Sequence, residues 1–119
     1  MKDKLNFYIN GQWVESDSNE RIEIINPANE ELIGHVTSGT KEDINKAVLA
    51  ASDAFQTYQF SSKEDRIEIL KNIITEYENR YDDLVQVITE EMGAPTWLSQ
   101  KAQASTGIKN LHETLDALK

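Results

Sequence analysis

Cysteine is absent from the 119 residues. That removes disulfides, thiolate metal sites and a cysteine nucleophile from this stretch of chain. Proline occurs twice and histidine twice. Basic side chains are scarce: 12 against 21 acidic ones, a formal net charge of −9. Phosphate-backbone binding relies on clustered Lys and Arg, so nucleic acid is not an expected partner. The same charge disfavours adsorption to an anionic membrane surface. No apolar run approaches the roughly 18 residues of a membrane span. Met1-Lys2-Asp3-Lys4-Leu5-Asn6 leads into no signal-peptide core, so the expected location is the cytoplasm.

What is present falls into two parts. Apolar residues make up 39 % of the chain, enough for a small core in which about two-thirds of the unfolded surface is buried. The expected fold class is α+β, a single domain with short antiparallel strands in 1–39 and helices in 40–119. The first strong signal is Phe7-Tyr8-Ile9-Asn10-Gly11-Gln12-Trp13-Val14. Asn-Gly between β-prone runs predicts a two-residue hairpin, because both residues tolerate positive φ. Trp13 is the expected anchor of that hairpin. Arg21-Ile22-Glu23-Ile24-Ile25 alternates and stops at Asn26-Pro27; Leu32-Ile33-Gly34-His35-Val36 is a further strand. Three to five such strands are expected.

From Thr40 onward the apolar period is helical. Thr40 with Asp43 reads as an N-cap with an acidic N3 residue, a weaker form of the capping box. Ile44, Ala47, Val48, Ala51, Phe55 and Tyr58 follow as one stripe. Ser61-Ser62 opens a second helix with Ile67, Leu70, Ile73, Ile74 and Tyr77, broken near Asn79–Asp82. Leu84, Val85, Val87, Ile88 and Met92 run on to Gly93, a C′ residue, with Pro95 beyond. A last helix fits 96–119, with Leu98, Ala102, Ile108, Leu111, Leu115 and Leu118 inward. Gly107 weakens it by roughly 1 kcal/mol relative to Ala. It carries no stop signal before Leu118-Lys119. The helices are expected to pack on one another through Ile44, Val48, Phe55, Ile67, Leu70, Ile74, Leu84 and Ile88.

Residue chemistry offers no catalytic constellation. His35 and His112 have no second ligand at metal spacing and read as solvated or core-edge groups. The acid pairs Glu30-Glu31, Glu42-Asp43, Glu64-Asp65, Asp82-Asp83 and Glu90-Glu91 all read as solvated, since acid/base work needs one carboxyl in an apolar pocket. Ser61 and Ser62 read as caps. Gly34, Gly39, Gly93 and Gly107 form no dinucleotide-binding pattern. Trp13 and Trp97 read as core or interface anchors.

The order of the landmarks is more specific than any single one. "FYINGQWVES", "IEIINPANEELIGHV", "TKEDINKAVLAASDAF" and "SSKEDRIEILKNIITEYENRYDDLVQVITEEMGAP" succeed one another. Together they resemble the amino-terminal segment of the NAD(P)-dependent aldehyde dehydrogenase superfamily. That family opens with a Y-I-N-G-x-W hairpin. It continues through N-P-A-x-x-E-x-I-G, an A-A-x-x-A-F helix and an R-x-x-x-L-x-x-I helix to an E-x-G-x-P corner. The common corner is E-x-G-K-P; here Glu91-Met92-Gly93-Ala94-Pro95 lacks the Lys.

The resemblance implies an N-terminal part of a cofactor-binding domain in an oxidoreductase that converts aldehydes to carboxylic acids. It also implies that the catalytic cysteine, general-base glutamate, oxyanion-hole asparagine and nicotinamide site lie in regions not matched by these residues. Catalytic, cofactor-binding and metal residues are therefore assigned to none of the 119, and NAD or NADP is expected only for the longer enzyme. Some family members hold an alkali cation through main-chain carbonyls that correspond to Ile24 and Ile25. The acidic partner falls near Gln103, which is uncharged, so no cation is expected. Two other readings stay open: a free-standing acidic helical interaction module, and an enzyme assembled from two chains. For the enzyme reading, the expected partner is the remainder of the polypeptide or a second copy docking on exposed apolar helix faces.

Overall fold

The computed structural model describes residues 3–119. Four short strands precede a helical region. Strands β1 (Asn6–Ile9) and β2 (Gln12–Glu15) form an antiparallel hairpin in which Tyr8 faces Trp13 and Phe7 faces Val14. Asn10 at φ 53° and Gly11 at φ 76° make the turn, the mirror-image conformation that Asn-Gly permits. Strands β3 (Arg21–Ile25) and β4 (Leu32–Thr37) form a second antiparallel pair with a bulge between Ile24 and Ile25. Both pairs lie where the sequence alternation puts them.

The chain divides into two compact units. The first comprises the chain up to Ile25 together with Glu31–Phe60. Helix α1 (Lys41–Tyr58) is its one helix, and β1 packs on it. Lys4 donates its N–H to the His35 carbonyl at 2.8 Å, and the Thr37 hydroxyl donates to the Leu5 carbonyl at 2.8 Å. The segment before the hairpin is thus tied along β4. The buried side chains of this unit, Thr37 and Asp43, are polar.

The hairpin docks through the face opposite to its tryptophan. Phe7, Ile9 and Val14 are half-buried, whereas Trp13 is 70 % exposed. The Phe7 ring lies against Gly39, where an added Cβ would meet its Cζ at 3.3 Å. Strand alternation separates the two faces: Tyr8 and Trp13 are cross-strand partners on one, and Phe7 and Val14 share the other. The expected packing of α1 also fails within its unit. Ile44, Val48 and Phe55 are all more than half exposed.

The second unit comprises Asn26–Glu30 and Ser61–Lys119. It contains α2 (Lys63–Asn79), α3 (Tyr81–Met92), a single turn α4 (Thr96–Leu98), a π-helical segment (Ser99–Ala104) and α5 (Ser105–Leu118). Its apolar core is Ile74, Val85, Ala104 and Leu115, one residue or more from each long element. Helix α2 packs on α5, and α3 packs on the π segment. Gly93 closes α3 in the left-handed conformation at φ 62°. A Cβ there would lie 2.7 Å from the Ala28 nitrogen and 2.9 Å from Pro27 Cγ, so the corner needs glycine for conformation and for room.

The last helix departs from the expected period. A π turn inserts an i→i+5 step, which moves every following side chain around the axis. Ala102, expected inward, is exposed; Ser99 and Ala104 are fully buried instead. Gly107 also has a packing role that its helix propensity conceals. Tyr77 donates its hydroxyl to the Ala104 carbonyl at 2.8 Å and lies across Gly107. A Cβ at Gly107 would clash with the Tyr77 hydroxyl and stand 2.9 Å from Cζ.

Gly107→Ala is therefore expected to lower the thermal midpoint. A propensity gain of about 1 kcal/mol is opposed by overpacking of about 1–3 kcal/mol. In a Tyr77→Phe background, which removes the clashing oxygen, the same substitution should cost less. Thermal melts of the four proteins of this cycle check both expectations.

Candidate functional site

The polar centre of the first unit is the Asp43 carboxylate, 5 % exposed. Thr40 is the N-cap of α1, and its hydroxyl accepts from the Asp43 N–H at 3.1 Å. Asp43 Oδ2 accepts from the Thr40 N–H at 2.9 Å, completing a full capping box rather than a weakened one. The Thr40 hydroxyl also donates to Oδ2 at 2.9 Å. Ser16, which directly follows β2, donates its hydroxyl to the same oxygen at 2.6 Å. Asp43 thus caps α1 and ties down the end of the hairpin. The reading of all five acid pairs as solvated is wrong for this one, because tertiary contacts bring Ser16 across 27 residues. The Ser16 hydrogen bond, followed by those from Thr40, holds the Asp43 carboxyl below its ordinary value.

The other acidic pairs do sit at helix ends or on exposed faces. Asp65 completes a second capping box with Ser62, whose hydrogen bonds lower its pKa. Ser61 Oγ accepts from Arg66 Nε at 2.9 Å. Asp83 lies 3.7 Å from Arg80, and Glu90 accepts from the Gln86 amide at 3.0 Å. His35 Nδ1 is 3.0 Å from Asp3 Oδ1, and that oxygen also accepts the His35 backbone N–H at 2.9 Å. These two contacts lower the Asp3 pKa. His112 Nε2 lies 3.8 Å from Glu78. His35 is half-buried and His112 is exposed. Among the described residues no three His, Cys, Asp or Glu side chains converge on one point.

The tryptophans are not core residues. Trp13 stacks at a tilt on Tyr8 with ring centroids 5.2 Å apart, and Trp97 is 62 % exposed. Gln103 does not reach outward: its Nε2 donates to Met92 Sδ at 3.5 Å. The arrangement supplies caps, hairpin ties and exposed aromatic surface. Sequence reasoning missed Ser16 and the hydroxyl contact of Tyr77, whose partners are distant in the chain and leave no local signal.

The aldehyde dehydrogenase family profile matches residues 13–119. The chain belongs to the aldehyde dehydrogenase family. It is 49 % identical over 118 residues to a Staphylococcus aureus (strain USA300) protein whose name assigns it to the aldehyde dehydrogenases; the match covers 99 % of this chain and 25 % of that one. The chain spans about a quarter of the length of the curated relatives it matches. Its fold superposes on an aldehyde dehydrogenase of Bartonella henselae with a TM-score of 0.96 at 34 % identity, covering 99 % of this chain and 25 % of that one. A cysteine-to-alanine mutant of aldehyde dehydrogenase C from Pseudomonas syringae, solved with NAD+ and octanal, superposes at 0.92 with 34 % identity over 95 % of this chain and 23 % of that one. These likenesses fit an N-terminal segment of the family's fold. The reading as a free-standing interaction module finds no support in them.

The depressed acidic groups fix the direction of one pH effect. Asp3, Asp43 and Asp65 all have folded pKa values below the ordinary 3.8. Each stabilises the fold fully above the unfolded value, and that contribution is lost as pH falls through the lower folded value. Denaturation midpoints followed downward from pH 5 should fall, and Asp43→Asn should flatten the fall. Thr40→Ala should cost about 1 kcal/mol, the usual cost of a lost N-cap, measured by urea denaturation at neutral pH.

Proposed function

We propose that these residues form the opening part of an NAD(P)-dependent aldehyde dehydrogenase, cytoplasmic, and that they scaffold the enzyme without themselves performing chemistry. The observation that carries this reading is a TM-score of 0.96 over 99 % of the chain but 25 % of the matched structure. Oxidation of an aldehyde through a covalent thiohemiacetal needs a thiolate nucleophile, and the chain has no cysteine. The nucleophile and the cofactor site then belong to the remaining polypeptide. Solved neighbours carry NAD+ with octanal in one case and NADP in a Bacillus halodurans glyceraldehyde-3-phosphate dehydrogenase in another. Either dinucleotide is therefore a candidate for the whole enzyme.

The exposed apolar residues support the partner side of the proposal. Ile44, Val48, Phe55 and Tyr58 form an open stripe on α1, and Tyr8 with Trp13 forms an open aromatic pair on the hairpin. Stripes of this kind are interface material. Their proposed cover is the remainder of the enzyme, with self-association as the substitute when that remainder is missing.

The purified 119-residue chain, mixed with an aliphatic aldehyde and either NAD+ or NADP+, is expected to give no rise in absorbance at the reduced-nicotinamide band. A reduction rate above the enzyme-free control would overturn the proposal. Addition of the remaining polypeptide should shift the tryptophan emission to shorter wavelength, because Trp13 and Trp97 begin in water. An unchanged emission spectrum on assembly would remove the proposed cover.

A further inference from the structure

The junction of α3 with the π segment holds three buried side-chain oxygens that no protein group satisfies: Thr89 Oγ1, Ser99 Oγ and Gln103 Oε1. Ser99 is fully enclosed, with 0 % of its surface exposed. Leaving such a group unpaired costs about 1–3 kcal/mol, and three at one junction would be a heavy load for a unit whose buried apolar core is four side chains.

The three oxygens are carried by two elements that pack on each other, α3 and the π segment. Gln103 meets α3 directly, since its Nε2 donates to Met92 Sδ at 3.5 Å. Thr89 lies three residues before Met92 and shares its helix face. Ser99 lies four residues before Gln103 within the π segment, the element that packs on α3. With the amide nitrogen on the sulfur, the buried Gln103 oxygen is left as an acceptor alone. Hydroxyls can both donate and accept. The group that fits all three is small, neutral and able to donate and accept together.

We propose that the α3–π-segment seam encloses one structural water, which donates to Gln103 Oε1 and accepts from the hydroxyls of Thr89 and Ser99. A buried water makes about three hydrogen bonds to polar groups that the protein leaves unpaired, and this seam offers three. It also gives the π turn a physical reason. The wider i→i+5 step begins at the buried Ser99, whose Oγ becomes part of the water's cage, and leaves Ala102 in solvent.

Two measurements on the purified protein test this. A high-resolution crystal structure should show an ordered solvent peak within about 2.7–3.2 Å of at least two of the three oxygens. Thr89→Val and Ser99→Ala should each lower the thermal midpoint, by about 2–6 °C. The double variant should lose less than the sum, because both hydroxyls act through the same water. Absence of the peak overturns the proposal. So does a rise in midpoint for both single variants, the behaviour of orphaned groups being removed. Should a variant fail to fold, the solvent peak in the unsubstituted protein remains decisive.

Discussion

One carboxylate organises the first compact unit. Asp43 Oδ2 collects the Ser16 hydroxyl, the Thr40 N–H and the Thr40 hydroxyl in a site that is nearly closed to water. A buried charge is tolerated only when hydrogen bonds replace its hydration. The donors here come from the hairpin exit and from the start of α1, so the requirement to satisfy the charge also fixes where both elements go. Few apolar side chains are buried in this unit to do so instead. The hairpin, a motif that is marginal by itself, is held by this carboxylate at one end and by the Asp3–β4 ties at the other.

The second unit is built on a different principle. Ile74, Val85, Ala104 and Leu115 bury an apolar core, and glycine permits the close approaches. Gly93 lets the end of α3 rest against Pro27 and Ala28, and Gly107 lets Tyr77 reach the Ala104 carbonyl. Both glycines are demanded by what lies opposite them. The apolar surface left open elsewhere, on α1 and on the hairpin, agrees with the chain's standing as a quarter of its relatives' length. Small domains bury most of their large apolar side chains, whereas Val48, Phe55 and Trp13 here are all more than half exposed.

Local signals carried most of the secondary structure. The Asn10-Gly11 turn, the strand at Arg21–Ile25, the caps at Thr40 and Ser62, the break at Arg80 and the stop at Gly93 each depend on neighbours within a few residues. The stripes of α2 and α3 were legible only in part: Ile74 and Val85 are buried, but Ile73, Val87 and Met92, read into the same stripes, are exposed. The direction in which α1 turns its stripe was not legible, because periodicity reports that a face is apolar and not what covers it. The π turn left no signal either, and it exchanged Ala102 for Ala104 in the core. For the candidate site, the reading of Ser62 as a cap holds, since it caps α2. The sequence reading misjudged Asp43, whose burial depends on a hydroxyl 27 residues away.

The sequence by itself determined the strand–helix order, the caps and turns, the membership of the aldehyde dehydrogenase family through five ordered motifs, and the lack of a thiol nucleophile in these residues. Those follow from residue identity and short-range geometry. The tertiary structure alone decided that Asp43 is a buried hub, that the hairpin docks through Phe7 rather than Trp13, and that Gly107 is space for Tyr77. Each of these depends on groups far apart in the chain meeting within hydrogen-bond or van der Waals reach, a condition that no local pattern encodes.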